Sequence, residues 1–269
     1  MAFLCAFVFC VMLSGKAMVF AKNYDTNMQI LEPFVWAFGN GNSVMMVSLL
    51  LLLFVGDMPF VTDLTPYTLI RTKRKIWLLG QMLYVVLVTV IYLFFLLLVF
   101  CILCAPMSFI GNLWSETGAL LGYSGVGAKI ALPSSVKIME MSTPYKCTAS
   151  IFLLMVLYTL LAATIMMIFN LKKNRFGGVL SLFILNLYGL LLDPQIIAKV
   201  FHIPDSLQYK SNVICGWLSP LNHATYYMHN FGYDLLPRLW QSYCILGTFV
   251  IINLILSYKL IRKYEFRFL

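Results

Sequence analysis

Three histidines, His202, His223 and His229, share one polar connection, residues 199–241, and imidazoles grouped in this way invite a metal. His223 and His229 are six residues apart, so on one continuous helix they would point about 120° apart. No Cys or Glu stands beside them at ligand spacing, and they read as interfacial or loop histidines. Cys101-Ile-Leu-Cys104 has the spacing of a zinc or redox pair. It closes an apolar run, with no second pair and no His nearby, so it reads as packing filler. Gly122-Tyr-Ser-Gly125-Val-Gly127-Ala-Lys129 has the glycines of a phosphate loop, but Ala128 separates the last glycine from the lysine and Ile130 follows. It reads as a turn. No Ser/His/Asp arrangement or paired carboxylates stand out, so the chain is not expected to be an enzyme.

The elements that carry these residues are membrane elements. Of 269 residues, 61% are hydrophobic and 11% charged, far less charge than a soluble domain of this length exposes. The net charge of +9 does not call for nucleic acid: eleven of the 19 Lys and Arg residues fall in 71–75, 172–175 and 259–267, each at the end of an apolar run. Cations held on the cytoplasmic side explain that distribution. Six spans follow, at about 1–21, 36–57, 77–105, 148–170, 176–197 and 242–258, forming a single all-α domain over 1–269 with both termini cytoplasmic. Met1 to Ala21 reads as a span rather than a signal peptide, since it has no basic leader. The second span is the weakest, because Val44 to Val55 alone is shorter than the ~20 residues a crossing needs. Phe34, Trp36 and Phe38 just before it read as headgroup anchors. Asp193-Pro194 should break or kink the fifth span. Lys172, Lys173 and Arg175 should hold the end of the fourth inside, and Cys147 and Cys215, both placed outside, could pair.

The stretch Asp57 to Trp77, DMPFVTDLTPYTLIRTKRKIW, lies between spans two and three and holds Arg71, Lys73, Arg74 and Lys75. Thr65-Pro66 is a good helix start, so a short surface helix is expected from Pro66 through Arg74. Leu218-Ser219-Pro220-Leu221-Asn222, flanked by Trp217, Tyr226, Tyr227 and Phe231, reads either as an interfacial loop or as broken helices that re-enter the outer leaflet, where protein or water must cover them. Near span interiors the charged residues are Lys16, Asp57 and Asp193, each near a span end. A carrier driven by protons or sodium would more often place a carboxylate at mid-membrane.

Together these features resemble the type-2 ABC transporter permeases. Asp57-Met58-Pro59-Phe60 with Arg71, Arg74 and Trp77 is similar to the Asp-x-Pro-Phe and Arg-x-x-Arg-x-x-Trp pattern of bacterial members. Leu218-Ser219-Pro220 is similar to the Ser/Asn-Pro element before their last span. The resemblance implies a permease half that pairs with a second copy or a homologous half in a bacterial cell membrane. It implies separate cytoplasmic ATPase subunits, which carry the ATP and magnesium, since this chain has no ATP-binding loop and no cofactor of its own. It makes Asp57, Pro59, Arg71, Arg74 and Trp77 the ATPase-coupling region and residues 217–222, with Trp217, Ser219, Pro220 and Asn222, the outer re-entrant segment. The chain departs from the family in starting within an apolar run rather than with an amphipathic helix, and in the 42-residue outer segment Pro106 to Cys147, which could shape a substrate vestibule. An aromatic- and Met-rich chain without a polar binding cluster suits an amphipathic peptide, a lipid or a hydrophobic drug. The alternatives are an ion-gradient-driven secondary transporter and a non-transporting sensor or immunity component.

Overall fold

Backbone surrounded by hydrocarbon must satisfy its own hydrogen bonds, and the apolar runs accordingly become helices. The structure is a computed structural model and describes residues 1–60, 65–172, 174–192, 194–202, 204, 207–232 and 234–263. In chain order, α1 (Ala2–Asn23) is followed by α2 (Glu32–Gly39), α3 (Gly41–Val55), α4 (Thr65–Arg71) and α5 (Arg74–Cys104). Three short helices come next, α6 (Glu116–Ser124), α7 (Val126–Lys129) and α8 (Val136–Met141). Then come α9 (Pro144–Leu171), α10 (Arg175–Leu191), α11 (Pro194–Val200), α12 (Gln208–Leu218), α13 (Pro220–Ala224) and α14 (Leu239–Lys263). Two-residue strands, β1 (Met28–Gln29) and β2 (Ser108–Phe109), pair in parallel.

Among the described residues, α1, α5, α9 and α14 are each long and apolar enough to cross a membrane unbroken. Two bent pairs raise the number to as many as six: α2 with α3, bent by 93°, and α10 with α11, bent by 82°. The chain is therefore a multi-pass, all-α membrane protein. In its most apolar window α9 is 61% buried, against 39% for α1 and α5 and 22% for α14, so α9 is the pillar on which the other helices lean. Pro144 opens it at a first-turn position where no backbone donor is lost. One end of the bundle gathers the basic residues 71–75 and the last turn of α14. The opposite end is covered by residues 105–143, 207–232 and 234–238, joined there by a Lys137–Asp234 ion pair of 2.9 Å.

Several expectations change. The helix expected over 36–57 is two helices: Asn40 leaves helical geometry and caps α3 by accepting from the Asn42 N–H at 3.0 Å, so the chain turns sharply there. α3 alone has 15 residues, about 22 Å at 1.5 Å per residue, short of the ~30 Å hydrocarbon core. Phe34, Trp36 and Phe38 are not headgroup anchors. They are fully buried, because the apolar residues of α2 are packed against α1, α3, α5, α9 and the turn at 226–228. The surface helix ends at Arg71 rather than Arg74. The chain extends at Lys73, so Arg74 and Trp77 belong to the first turn of α5. Pro194 does begin a new helix after a break, although Asp193 lies outside the described residues, as do Lys173 and 264–269. Cys147 and Cys215 are separate free thiols, one beside Ser142 Oγ at 3.4 Å and the other facing Leu192 O at 3.5 Å. In the glycine-rich stretch, Gly125 takes a left-handed φ of 66° between α6 and α7, a conformation glycine adopts without steric cost, which makes this a turn.

Candidate functional site

At the basic end, the Asp57–Phe60 turn is bolted on both sides. Asn170 Nδ2, at the end of α9, donates to Met58 O, and Phe60 N–H donates to Gln81 Oε1 of α5 at 3.1 Å. The Phe60 ring packs edge-on to Tyr84 with centroids 4.9 Å apart. Pro59 is buried, Asp57 is exposed, and Trp77 half-buries itself against a small apolar core of Val55, Met58, Leu78 and Met167. Arg74 Nη1 donates to Ile261 O and Arg262 O, in the last described turn of α14. Arg71, by contrast, is exposed and lines an open basin with Lys73, Lys75 and Arg262. The two arginines of the sequence pattern thus differ: Arg74 faces the protein and Arg71 faces outward.

At the opposite end, Ser219 Oγ caps α13 by accepting from Asn222 N–H at 3.2 Å, with Pro220 at the first helical position. Asn222 Nδ2 in turn donates to Cys215 O at 3.1 Å, and exposed Trp217 donates to Leu235 O at 3.0 Å. The short helix α13 packs against α3, α9, α10 and α14. Asn40, Asn42, Asn212 and Asn222 therefore converge with Gly189 on a polar cleft of about 220 Å³, where three helix breaks meet. The structure brings Ser219, Pro220 and Asn222 together and leaves Trp217 at the rim.

His223 and His229 do not point apart. α13 ends at Ala224, and the turn at 225–229 folds His229 back, so both imidazoles reach Ser242 Oγ on α14. His223 Nδ1 lies 2.8 Å from it and His229 Nε2 2.9 Å. The remaining ring nitrogens donate to Trp217 O and Tyr226 O, each at 3.0 Å. Two neutral imidazoles and one hydroxyl supply three hydrogens for four contacts, so one contact to Ser242 lacks a hydrogen. An added proton would complete the set, but it would place a charge in a site closed to water. Burial pulls His223 below its usual range and His229 down to about 4. The unfolded chain, with histidines near 6.5, therefore takes up protons first as pH falls. Stability from this site is full above about pH 6.5 and is lost between there and about pH 4. The melting temperature in detergent should fall on going from pH 7 to pH 5, and His229→Gln, which cannot titrate, should flatten that slope. An unchanged slope in the variant would place the acid-sensitive group elsewhere.

Other polar contacts were hidden from sequence reasoning. Asn186 Oδ1 accepts from Ser48 Oγ at 2.8 Å and Tyr158 OH at 3.1 Å, joining α3, α9 and α10 in the interior. Nearer the cover, the Glu32 carboxylate accepts from the backbone N–H groups of Gln29 (3.1 Å) and Ser115 (2.7 Å) and from Ser115 Oγ. Among the described residues, no three His, Cys, Asp or Glu side chains are placed to hold a metal ion. No known protein family, curated protein or solved structure matches this chain.

Proposed function

We propose that this chain is the permease subunit of an ATP-driven exporter in a bacterial cell membrane, working as one half of a dimer above separate ATPase subunits. In this reading each bent pair counts as one span, giving six. Both termini and the basic end face the cytoplasm, since cations at span ends resist translocation. α4 is the coupling helix. The observation that carries the reading is the way the basic end is tied together. A short helix ending in the exposed Arg71 leads into α5, whose Arg74 holds the last described turn of α14, while Met58 is held by α9. A push on α4 would pass along the chain into α5 and, through the Arg74 hydrogen bonds, into α14, which is a property a motor-driven gate requires.

An apolar groove of about 610 Å³ runs between α1 and α3, lined by Leu4, Val8, Met12 and Met46, with Lys16 and Asn42 at one end. Its polar end and apolar length suit an amphipathic or hydrophobic cargo or the apolar face of the partner half.

The test is purification of the affinity-tagged chain from its native membrane under mild detergent. An ATP-hydrolysing subunit should co-purify, and Arg71→Glu should reduce its recovery by about tenfold or more. Lys137→Glu, at the opposite end, should not. Isolation of the chain with no ATPase, or equal recovery from Arg71→Glu, would overturn the assignment. So would uptake of a hydrophobic dye driven by an ion gradient in vesicles holding this chain alone.

A further inference from the structure

The basic basin does not end at its cations. It encloses about 710 Å³ and is lined by Arg71, Lys73, Lys75 and Arg262. An apolar trough of about 310 Å³ continues directly from it along the seam between α5 and α14, over Leu79, Ile251, Leu254 and Ile255. Lys75 and Tyr258 line both spaces, and Lys75 Nζ sits 5.2 Å from the centre of the Tyr258 ring, so the cation is held at the junction. Arg71, Lys73, Lys75 and Arg262 are exposed, and the ion pair among the described residues, Lys137–Asp234, lies at the other end of the protein. Leu79 and Ile251 are 64% and 59% exposed, which is expected of side chains that meet hydrocarbon.

We propose that this paired basin and trough is a binding site for an anionic phospholipid, its headgroup phosphate among the four cations and its acyl chains along α5 and α14. The proposal goes beyond the transport reading and does not depend on it. Each half of the site excludes a competitor. A soluble phosphate or nucleotide would satisfy the basin and leave the trough empty. A zwitterionic lipid would fill the trough but bring its own ammonium group among four like charges. An anionic lipid satisfies both halves, at the depth where a basic pocket between spans meets the headgroup layer. Because the basin also includes the end of α14 that Arg74 holds, the bound lipid would brace the α5–α14 seam.

The experiment uses the full chain alone, in detergent, with no ATPase present. Native mass spectrometry and thermal melting would be run with dioleoyl phosphatidylglycerol, dioleoyl phosphatidylcholine, the short-chain dihexanoyl phosphatidylglycerol and inorganic phosphate. Dioleoyl phosphatidylglycerol should bind saturably, at least tenfold tighter than the phosphatidylcholine, and raise the melting temperature. The short-chain lipid should bind more weakly, and phosphate should not stabilise the protein. The paired variant Lys73→Gln, Lys75→Gln should lose the preference for phosphatidylglycerol while keeping the helix content and elution volume of the parent. Equal binding of the two long-chain lipids would overturn the proposal. Stabilisation by phosphate equal to that by the lipid would do so too, as would a preference unchanged in a folded variant. If that paired variant does not fold, Leu79→Ser with Ile255→Ser tests the trough alone, and undiminished phosphatidylglycerol binding there would overturn it as well.

Discussion

Gly39→Ala is expected to lower the melting temperature sharply, and Gly39→Val to leave little folded protein. Gly39 is the last residue of α2, and a Cβ built there falls 2.4 Å from the ring of Tyr227. Neither neighbour can yield easily. The residues before Gly39 are fully buried among α1, α3, α5, α9 and the turn at 226–228, and the backbone after it turns through 93° into α3. Tyr227 follows Tyr226, which is itself buried against Phe231 with ring centroids 5.3 Å apart. Overpacking a tight contact costs about 1–3 kcal/mol, and here the inserted atom meets a ring face rather than a flexible chain end, so the upper part of that range applies. The double variant Gly39→Ala, Tyr227→Ala should be more stable than the sum of the two single changes predicts, because the space vacated by the ring takes the added methyl. Additive effects, measured by melting in one detergent, would show that the ring is not what Gly39 accommodates.

Glu32→Gln should be nearly as damaging as Glu32→Ala, although it preserves size and shape. The two carboxylate oxygens accept three hydrogen bonds, from Ser115 N–H on one and from Gln29 N–H and Ser115 Oγ–H on the other. Glutamine offers one oxygen and one NH2 group, so whichever way the amide is turned, a donor faces at least one backbone donor. A buried donor left without an acceptor costs about 1–3 kcal/mol. Shortening to Asp does not help, because the oxygens then stop short of the Ser115 cap that starts α6. Gly118 leaves no slack either, since its missing Cβ would lie 3.0 Å from Glu32 Oε1. For a chain of this size, losses of that order correspond to a fall of roughly 2–12 °C in melting temperature. Proteolysis should cut first within 105–143, which Glu32 holds down. If Glu32→Gln melts with the parent and resists protease equally, the carboxylate contributes nothing that an amide cannot.

The long helices were legible because the hydrocarbon leaves apolar runs no other ordered form: four expected spans, 1–21, 77–105, 148–170 and 242–258, each fall on one helix, while 36–57 and 176–197 fall on bent pairs. The sharp turn at Asn40 was not legible. It depends on a side-chain cap and on α2 being covered, and neither leaves a mark in local hydropathy. The aromatic trio at 34–38 was misread for the same reason: rings at a span end suit a headgroup layer equally well until a cover folds over them. Of the candidate sites, the coupling region announced its helix start at Thr65 and Pro66 through residue type alone. Asn186 with Ser48, Glu32 with Ser115, and His223 with Ser242 gave no such signal. Their partners are 138, 83 and 19 residues away, and a polar residue within an apolar run looks the same with or without one.

The two sharp bends lie at the same end of the bundle, while the other end is cross-linked by Arg74, Asn170 and Gln81. The stiffness of the molecule is therefore uneven. At the bends the backbone ladder is already open, so α3 and α10 can tilt there against α2 and α11 without breaking helical hydrogen bonds. Any rotation of the bolted half would be passed along α9 as by a rigid shaft, and would emerge as the largest displacement around the asparagine-lined cleft.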